Sequence, residues 1–300
     1  MKASGRLLIF KIMNYKKWLD KNTVSLKGKT VAISGSTGGL GKELSKFFCS
    51  LSASLIIIDR NKARSDALKS ELLEQYPDVT VKQYILDLED VEAVRETAQR
   101  LLDEEIDYLV LNAGAYKIPR NTGKNGYNNV FNINFVSPYI LAQTLLPKIK
   151  ERGGRLVVVG SIAHNYSKID SSDIDFSTRK ASSKVYGNAK RYLMYSLWGL
   201  DEYEGVISVT HPGIAVTNIT AHYPKLLYAI IKYPMKIIFM NPKKASLCIL
   251  SGIFKTTEKN EWIGPRLFDV WGLPKKKKIK TCSKEEAEKI SNTAKEIYLK

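Results

Sequence analysis

The sequence predicts an α/β fold built on one doubly wound parallel sheet, and three observations carry that expectation. Apolar runs of strand length alternate strictly with amphipathic runs of helix length, the pattern of a parallel sheet covered on both faces. A glycine-rich stretch, Gly35-Ser36-Thr37-Gly38-Gly39-Leu40-Gly41, stands between the first strand and the helix that follows it. Short polar motifs close the strands, and ligands of such sheets sit beyond the carboxyl ends of the strands.

Taken in order, Thr30–Ser34 reads as a buried strand and Leu40, Leu44, Phe47 and Leu51 as the apolar stripe of the next helix. Glycines in the loop permit positive φ and close backbone approach, and the free N–H groups of the helix point at an anion. Without a ligand the same loop would be only a tight turn. The second strand, Ala53–Ile58, ends in Asp59-Arg60. A carboxylate about 20 residues beyond the loop is placed to bind an adenosine ribose. A helical run over Lys62–Gln75 leads to Val79, Val81 and Ile85 at period two, closing in Asp87-Leu88, and Val91, Val94, Ala98, Leu101 and Leu102 mark another helix. Ile106–Leu111 is a fourth strand ending in Asn112-Ala113-Gly114, and Arg155–Gly160 a fifth ending in Ser161. Between them a long helix from Tyr127 to Lys150 holds Asn134. The sixth strand, Val206–Thr210, ends in His211-Pro212-Gly213. No internal repeat or linker is evident. The lysine run Lys275–Lys278 is the nearest thing to a break, ahead of a helix capped by Ser283 with Glu286 three residues later. The division expected is a basic amphipathic arm over 1–28, a main domain over 29–274, and a basic tail with a helix over 275–300.

Composition bounds the function. With 300 residues and 44% hydrophobic content the chain can bury a large core. Three cysteines, Cys49, Cys248 and Cys282, stand far apart, with neither a disulfide framework nor metal-ligand spacing, which points to a reducing compartment and no metal. The net charge of +17 suits nucleic acid, an anionic membrane surface or a solvated basic surface. Its lysines are spread along the chain, with one dense cluster at Lys275–Lys280, which argues against nucleic acid. No apolar run is long enough to span a bilayer and no secretory signal is evident, so the expected location is cytoplasmic, with peripheral membrane contact left open.

A helix is expected to start near Tyr186 and to run on through the apolar-striped stretch Arg191–Tyr203, and on it Tyr186 and Lys190, four residues apart, share a face. An ammonium about 4 Å from a phenol, at an effective dielectric near 20, contributes roughly 4 kcal/mol, enough to lower a pKa of about 10 by up to about three units. Such a pair can act as a general acid or base, or it can merely pack on a helix surface.

Together, Gly35-x-x-x-Gly39-x-Gly41, Asn112-Ala113-Gly114, Asn134, Ser161, Tyr186-x-x-x-Lys190 and Pro212-Gly213, in this order, resemble the short-chain dehydrogenase/reductase family over about Lys29 to Gly272. Thr122–Tyr127, Asn134-Phe-Val-Ser-Pro, Ser161-Ile-Ala-His164 and an insertion with Asp175-Phe176 are similar to its retinol-dehydrogenase-like branch.

The resemblance implies a Rossmann fold, a nicotinamide cofactor and hydride transfer at a carbon bearing oxygen. It makes Tyr186 the acid/base, Lys190 the group that lowers its pKa and holds the nicotinamide ribose, Ser161 the group that orients the substrate oxygen, and Asn134 the residue that fixes a helix kink and a relay water. Cofactor contacts would come from Gly35, Ser36, Thr37, Gly39, Leu40, Gly41, Asp59, Arg60, Asp87, Leu88, Asn112, Ala113, Gly114, Tyr186 and Lys190, with Pro212, Gly213 and Thr217 over the carboxamide. Asp59 suits a free 2′-hydroxyl and Arg60 a 2′-phosphate, so the cofactor is NAD or NADP, with a lean to NAD. The apolar segment Tyr223–Met240 falls where the family carries a substrate lid and would admit a lipophilic alcohol or carbonyl. A core helix broken at Pro234 and an interfacial membrane segment are the alternatives there. The resemblance also implies a homo-oligomer. A non-catalytic nicotinamide sensor or scaffold is the competing function, and it would be marked by loss of Ser161, Tyr186 or Lys190.

Overall fold

The structure is a computed structural model that describes residues 15–214 and 240–300. Its eight-stranded sheet runs β3-β2-β1-β4-β5-β6-β7-β8. The strands are β1 (Thr30–Ser34), β2 (Ser54–Asp59), β3 (Val81–Ile85), β4 (Tyr108–Leu111), β5 (Arg155–Val159), β6 (Ile207–Thr210), β7 (Glu261–Leu267) and β8 (Trp271–Lys278). Strands β1 to β7 pair in parallel, and β1 lies against β2 with Val31 opposite Leu55 and Ser34 opposite Ile58. Buried on both faces, the central strands are continuous apolar runs, as parallel strands must be.

The helices are α1 (Tyr15–Asn22), α2 (Gly39–Ser50), α3 (Lys62–Gln75), α4 (Val91–Leu101), α5 (Ser137–Glu151), α6 (Ser182–Ser196), α7 (Pro242–Phe254) and α8 (Lys284–Leu299). Side-chain caps start several of them. Asn61 accepts from the Arg64 N–H, Asp90 from Ala93 and Ser283 from Glu286, satisfying donors that a first helical turn leaves free. One apolar layer joins α4, α5, α6 and α8 to the sheet, and the other joins α2, α3 and α7. Trp18 of α1 is buried in the second layer, and Lys255 donates to Asn22, so this part of the expected N-terminal arm packs on the domain. Among the described residues no helix is long and apolar enough to cross a membrane.

Three expectations are corrected. The sheet is not wholly parallel, because β8 returns antiparallel to β7. The lysines expected at a break after Gly272 lie in that strand: Lys275 stands opposite Gly264 and Lys277 opposite Ile263's neighbour Trp262. Lysines are frequent devices for blunting exposed sheet edges, which is why a charged run can still be strand. The long helix before β5 is also not uniform. A turn at Asn129–Phe131 passes into a π-helical turn at Asn132–Val136 before α5 begins. Finally, α6 begins at Ser182, ahead of Tyr186, and ends at Ser196 rather than running on to Tyr203.

Two histidines are locked into this frame. His164 and His211 both pack on Trp262, His211 stacked at 4.5 Å and His164 edge-on at 5.3 Å. Burial brings each imidazole pKa down to about 4. An unfolded chain protonates histidine near pH 6.5, so between about 6.5 and 4 the unfolded state binds more protons and stability falls as pH falls. The urea midpoint is therefore expected to drop between pH 7 and pH 4.5, and to drop less in His211→Gln. An unchanged slope in that variant would remove His211 from the account.

Candidate active site

The sheet order reverses between β1 and β4, and a cleft of about 300 Å³ opens beyond their carboxyl ends. Its walls are the glycine loop with Gly35, Thr37, Gly39, Leu40 and Gly41, the β2 end with Asp59 and Arg60, Asp87-Leu88, and Asn112-Ala113-Gly114. The sequence assigned all of these to the cofactor. It also assigned Ser36, which is buried away from the cleft.

Local chemistry shapes the loop. Ser36 Oγ and Thr37 Oγ1 both donate to the Asp59 carboxylate, the Thr37 bond at 3.0 Å, and the Thr37 N–H donates to Asp59 Oδ1 at 3.0 Å. Asp59 is 4% exposed, so its charge is committed first to the loop. Ser34 Oγ accepts from the N–H groups of Asn112 and Ala113 at 3.2 and 3.1 Å, and Asn112 Nδ2 donates to the carbonyls of Ser34 and Gly35. These bonds tie the β4 end to the β1 end. Gly41, in the first turn of α2, lies so close to the loop that a Cβ there would overlap the Gly35 carbonyl. Arg60 and Arg64 are exposed at the rim and, among the described residues, form no ion pair.

A second cluster adjoins the cleft at Gly114 and Ala115, toward the end of β5. Asn134, in the π-helical turn, is fully buried; its Nδ2 donates to the carbonyls of Ala115 and Val130 at 2.8 Å each, and its Oδ1 accepts from the Ala115 N–H at 3.1 Å. Here the side-chain amide does the work of fixing the kinked helix to the strand end, and π-turns of this kind are frequent at functional sites. Gly114 is wedged beside it: a Cβ there would lie 2.8 Å from Asn134 Oδ1 and 3.5 Å from Lys190 Nζ. Lys190 is 2% exposed and donates to the Val159 carbonyl at 3.0 Å. Its ammonium sits 6.0 Å from the Tyr186 ring centre, and Tyr116 packs edge-on against that ring at 5.3 Å. Ser161 caps the turn Ile162–Tyr166, accepting from the Ala163 N–H at 3.2 Å, and its hydroxyl lies near enough to Tyr186 to pull the phenol pKa down.

The expected depression of the Tyr186 pKa is absent from this geometry. Tyr186 is half-buried, and what burial it has pushes the phenol up to about 12, with nearby Ser161 pulling the other way, while Lys190 is buried outright and its ammonium is brought down to about 8. A charged group loses hydration when buried, so burial disfavours the phenolate and the ammonium alike.

At the β6 end, His211 Nδ1 accepts from the Gly213 N–H at 3.2 Å, while its Nε2 lies 2.8 Å from the Asp269 carbonyl. This fixes Pro212-Gly213 against the turn between β7 and β8. His211 is thus a bracing residue, as its place before a proline suggested. Thr217 and the segment 223–239 lie outside the described residues. The cleft also includes Asn61, Arg64 and Ile133, which the sequence reading missed. For Asn61 and Arg64 the available signal was a capping asparagine at the start of the helix that follows Asp59-Arg60; Ile133 gave none.

A family profile described as short chain dehydrogenase matches residues 29–173. Human retinol dehydrogenase 13 is 28% identical over 66% of this chain and 62% of its own length. Mouse retinol dehydrogenase 12 is 31% identical over 66% of this chain and 65% of its own length. The chain's match therefore spans less than two thirds of these relatives. An uncharacterized protein from Mycobacterium paratuberculosis shares the fold, with a TM-score of 0.71 at 20% identity over 93% of this chain and 96% of that one.

Gly41→Ala forces the loop backbone to move. Strain of about 1–3 kcal/mol is expected to weaken dinucleotide binding by about tenfold or more, read by titration of NAD(P)H fluorescence. Unchanged affinity would show that the loop is not the binding element.

Proposed function

We propose, from the match of residues 29–173 to the short chain dehydrogenase profile and the similarity to retinol dehydrogenases, that the chain is a nicotinamide-dependent oxidoreductase in which Tyr186 moves the proton of an alcohol–carbonyl interconversion. The observation that carries this is that Ser161, Tyr186, Lys190 and Asn134 gather beside the cleft wall formed by Gly114 and Ala115. None of the residues whose loss would mark a non-catalytic sensor has been lost.

The residues fit the cofactor. A lysine ammonium carries three donors, and among the described residues buried Lys190 donates to the Val159 carbonyl alone. Two donors are left for ribose hydroxyls. The glycine loop and the α2 N-terminus suit a pyrophosphate. When bound, the nicotinamide supplies or accepts the hydride.

Reduction and oxidation make different demands on the protein. A phenol held near 12 is protonated at neutral pH and can give its proton to a developing alkoxide. The Lys190 ammonium favours the phenolate left behind. Ser161 is placed to hold the same substrate oxygen, and Asn134 keeps the strand-end turn and helix kink fixed while the charges move. In the oxidative direction the same groups take the alcohol proton, and the raised phenol pKa makes that direction the harder one at neutral pH.

At the adenosine end, the two unpaired arginines and the engagement of Asp59 by the loop support NADP, against the lean drawn from Asp59 in the sequence. The substrate is proposed to be a lipophilic primary or secondary alcohol or its carbonyl, retinoid-, steroid- or lipid-like. The rings of Tyr116 and Tyr166 near the phenol, the apolar sequence of 223–240 and the names of the relatives support this.

Tyr186→Phe is expected to keep dinucleotide affinity and lose turnover by about 100- to 10,000-fold on a panel of aliphatic, steroid and retinoid carbonyls. Full turnover would sink the mechanism. Arg60→Ala is expected to weaken NADPH by about 1–3 kcal/mol and leave NADH nearly unchanged in parallel titrations; equal losses would return the preference to NAD.

A further inference from the structure

Arg191 follows Lys190 on α6 and is 2% exposed. A buried guanidinium has five N–H donors to satisfy, and here they reach across the molecule. Nε and Nη2 donate to the two Glu286 oxygens at 2.8 and 2.6 Å, a bidentate pair. Nη1 donates to the His164 carbonyl at 2.9 Å, and Nη2 also donates to the Thr281 carbonyl at 2.5 Å. Glu286 and Thr281 belong to the segment that opens α8, while His164 belongs to the turn that begins with Ser161.

A second tie runs beside the first. His164 Nδ1 lies 2.6 Å from the Ser161 carbonyl, and His164 Nε2 lies 2.9 Å from Thr281 Oγ1, which also bonds the Tyr195 hydroxyl at 2.8 Å. Beyond the turn, the Ile169 N–H donates to Glu286 Oε1 at 3.3 Å. The turn carrying Ser161 is thus held at the carbonyls of 161 and 164 and at the N–H of 169 by groups that depend on residues 281–286.

Glu286 stands three residues after the capping Ser283, where a carboxylate commonly reaches back to the cap's own N–H. Its oxygens go to Arg191 and Ile169 instead. A buried ion pair adds little stability over an apolar replacement of similar volume, so what this one contributes is a fixed arrangement of its partners.

We propose that Arg191, Glu286 and Thr281 are positioning residues, through which the segment leading into α8 sets the place of Ser161 against the Tyr186 phenol. This rests on the assignment of Ser161 as the group that holds the substrate oxygen. Activity then depends on α8 being docked, although none of its side chains reaches the phenol.

The test compares Thr281→Val, Glu286→Gln and the conservative Thr281→Ser in the full chain. Three quantities are read: amide exchange of residues 161–169, NADPH affinity, and kcat on a carbonyl that the parent protein reduces. Thr281→Val and Glu286→Gln are expected to raise exchange of 161–169 at least about tenfold while the central strands stay protected. They should lower kcat by about 10- to 100-fold with NADPH affinity within about twofold, and Thr281→Ser should restore both readouts. Unchanged exchange in 161–169, or exchange that rises equally throughout the chain with kcat following the folded fraction, would overturn the proposal. A parent protein that reduces no carbonyl would fail the functional assignment, and the exchange result would still uphold or overturn the tether by itself.

Discussion

The site is arranged around a cation kept out of water. Lys190 lies beneath the Asn112-Ala113-Gly114 turn with the Val159 carbonyl at 3.0 Å, and burial has already brought its pKa down to about 8. Burying an ammonium costs several kcal/mol unless polar groups surround it. The fold meets part of that cost through the Val159 carbonyl at the end of β5. Around it several polar groups are tied down. Asn134 has its amide committed on both sides, Asn112 spans the ends of β1 and β4, and the Asp59 carboxylate is held by the loop it closes. Such pre-organisation lets a binding event act on fixed dipoles instead of first ordering them.

Topology makes this possible. The ends of β1, β4, β5 and β6 lie on one side of the sheet, so residues far apart in sequence reach one cleft by strand order alone. The π-helical turn at Asn132–Val136 then aims Asn134 at Ala115 and Val130, which a regular helix continuing into α5 would not do in the same way. On the far side of the site, Trp262 of β7 supports both His164 and His211, so this strand also braces the turn after β5 and the loop after β6.

Much of this was legible from residue pattern. Buried parallel strands are continuous apolar runs, so TVAIS and its successors declared themselves, and their polar ends marked the cleft. Helix boundaries were less legible, because the apolar stripe of Arg191–Tyr203 continues past Ser196 into a short turn without a capping glycine signal strong enough to stop it. Lys275–Lys278 misled for a physical reason: charge reads as solvated tail, yet an edge strand tolerates it. Arg191 was invisible as a buried group, since nothing local distinguishes an arginine that pairs with a carboxylate 95 residues away from one that faces solvent. The pKa balance of Tyr186 and Lys190 was equally out of reach. It depends on how far each is desolvated, and spacing on a helix says nothing about that.

The central claim is that this cluster directs hydride transfer to a carbonyl carbon. The most direct measurement supplies the protein with NADPH carrying deuterium at one face of nicotinamide C4 and with a lipophilic aldehyde or ketone, and locates the label in the alcohol by mass spectrometry. The account predicts one deuterium on the carbinol carbon from one of the two labelled faces, abolished together with turnover in Tyr186→Phe. Alcohol formed without label from either face, or label transfer undiminished in Tyr186→Phe, would contradict it.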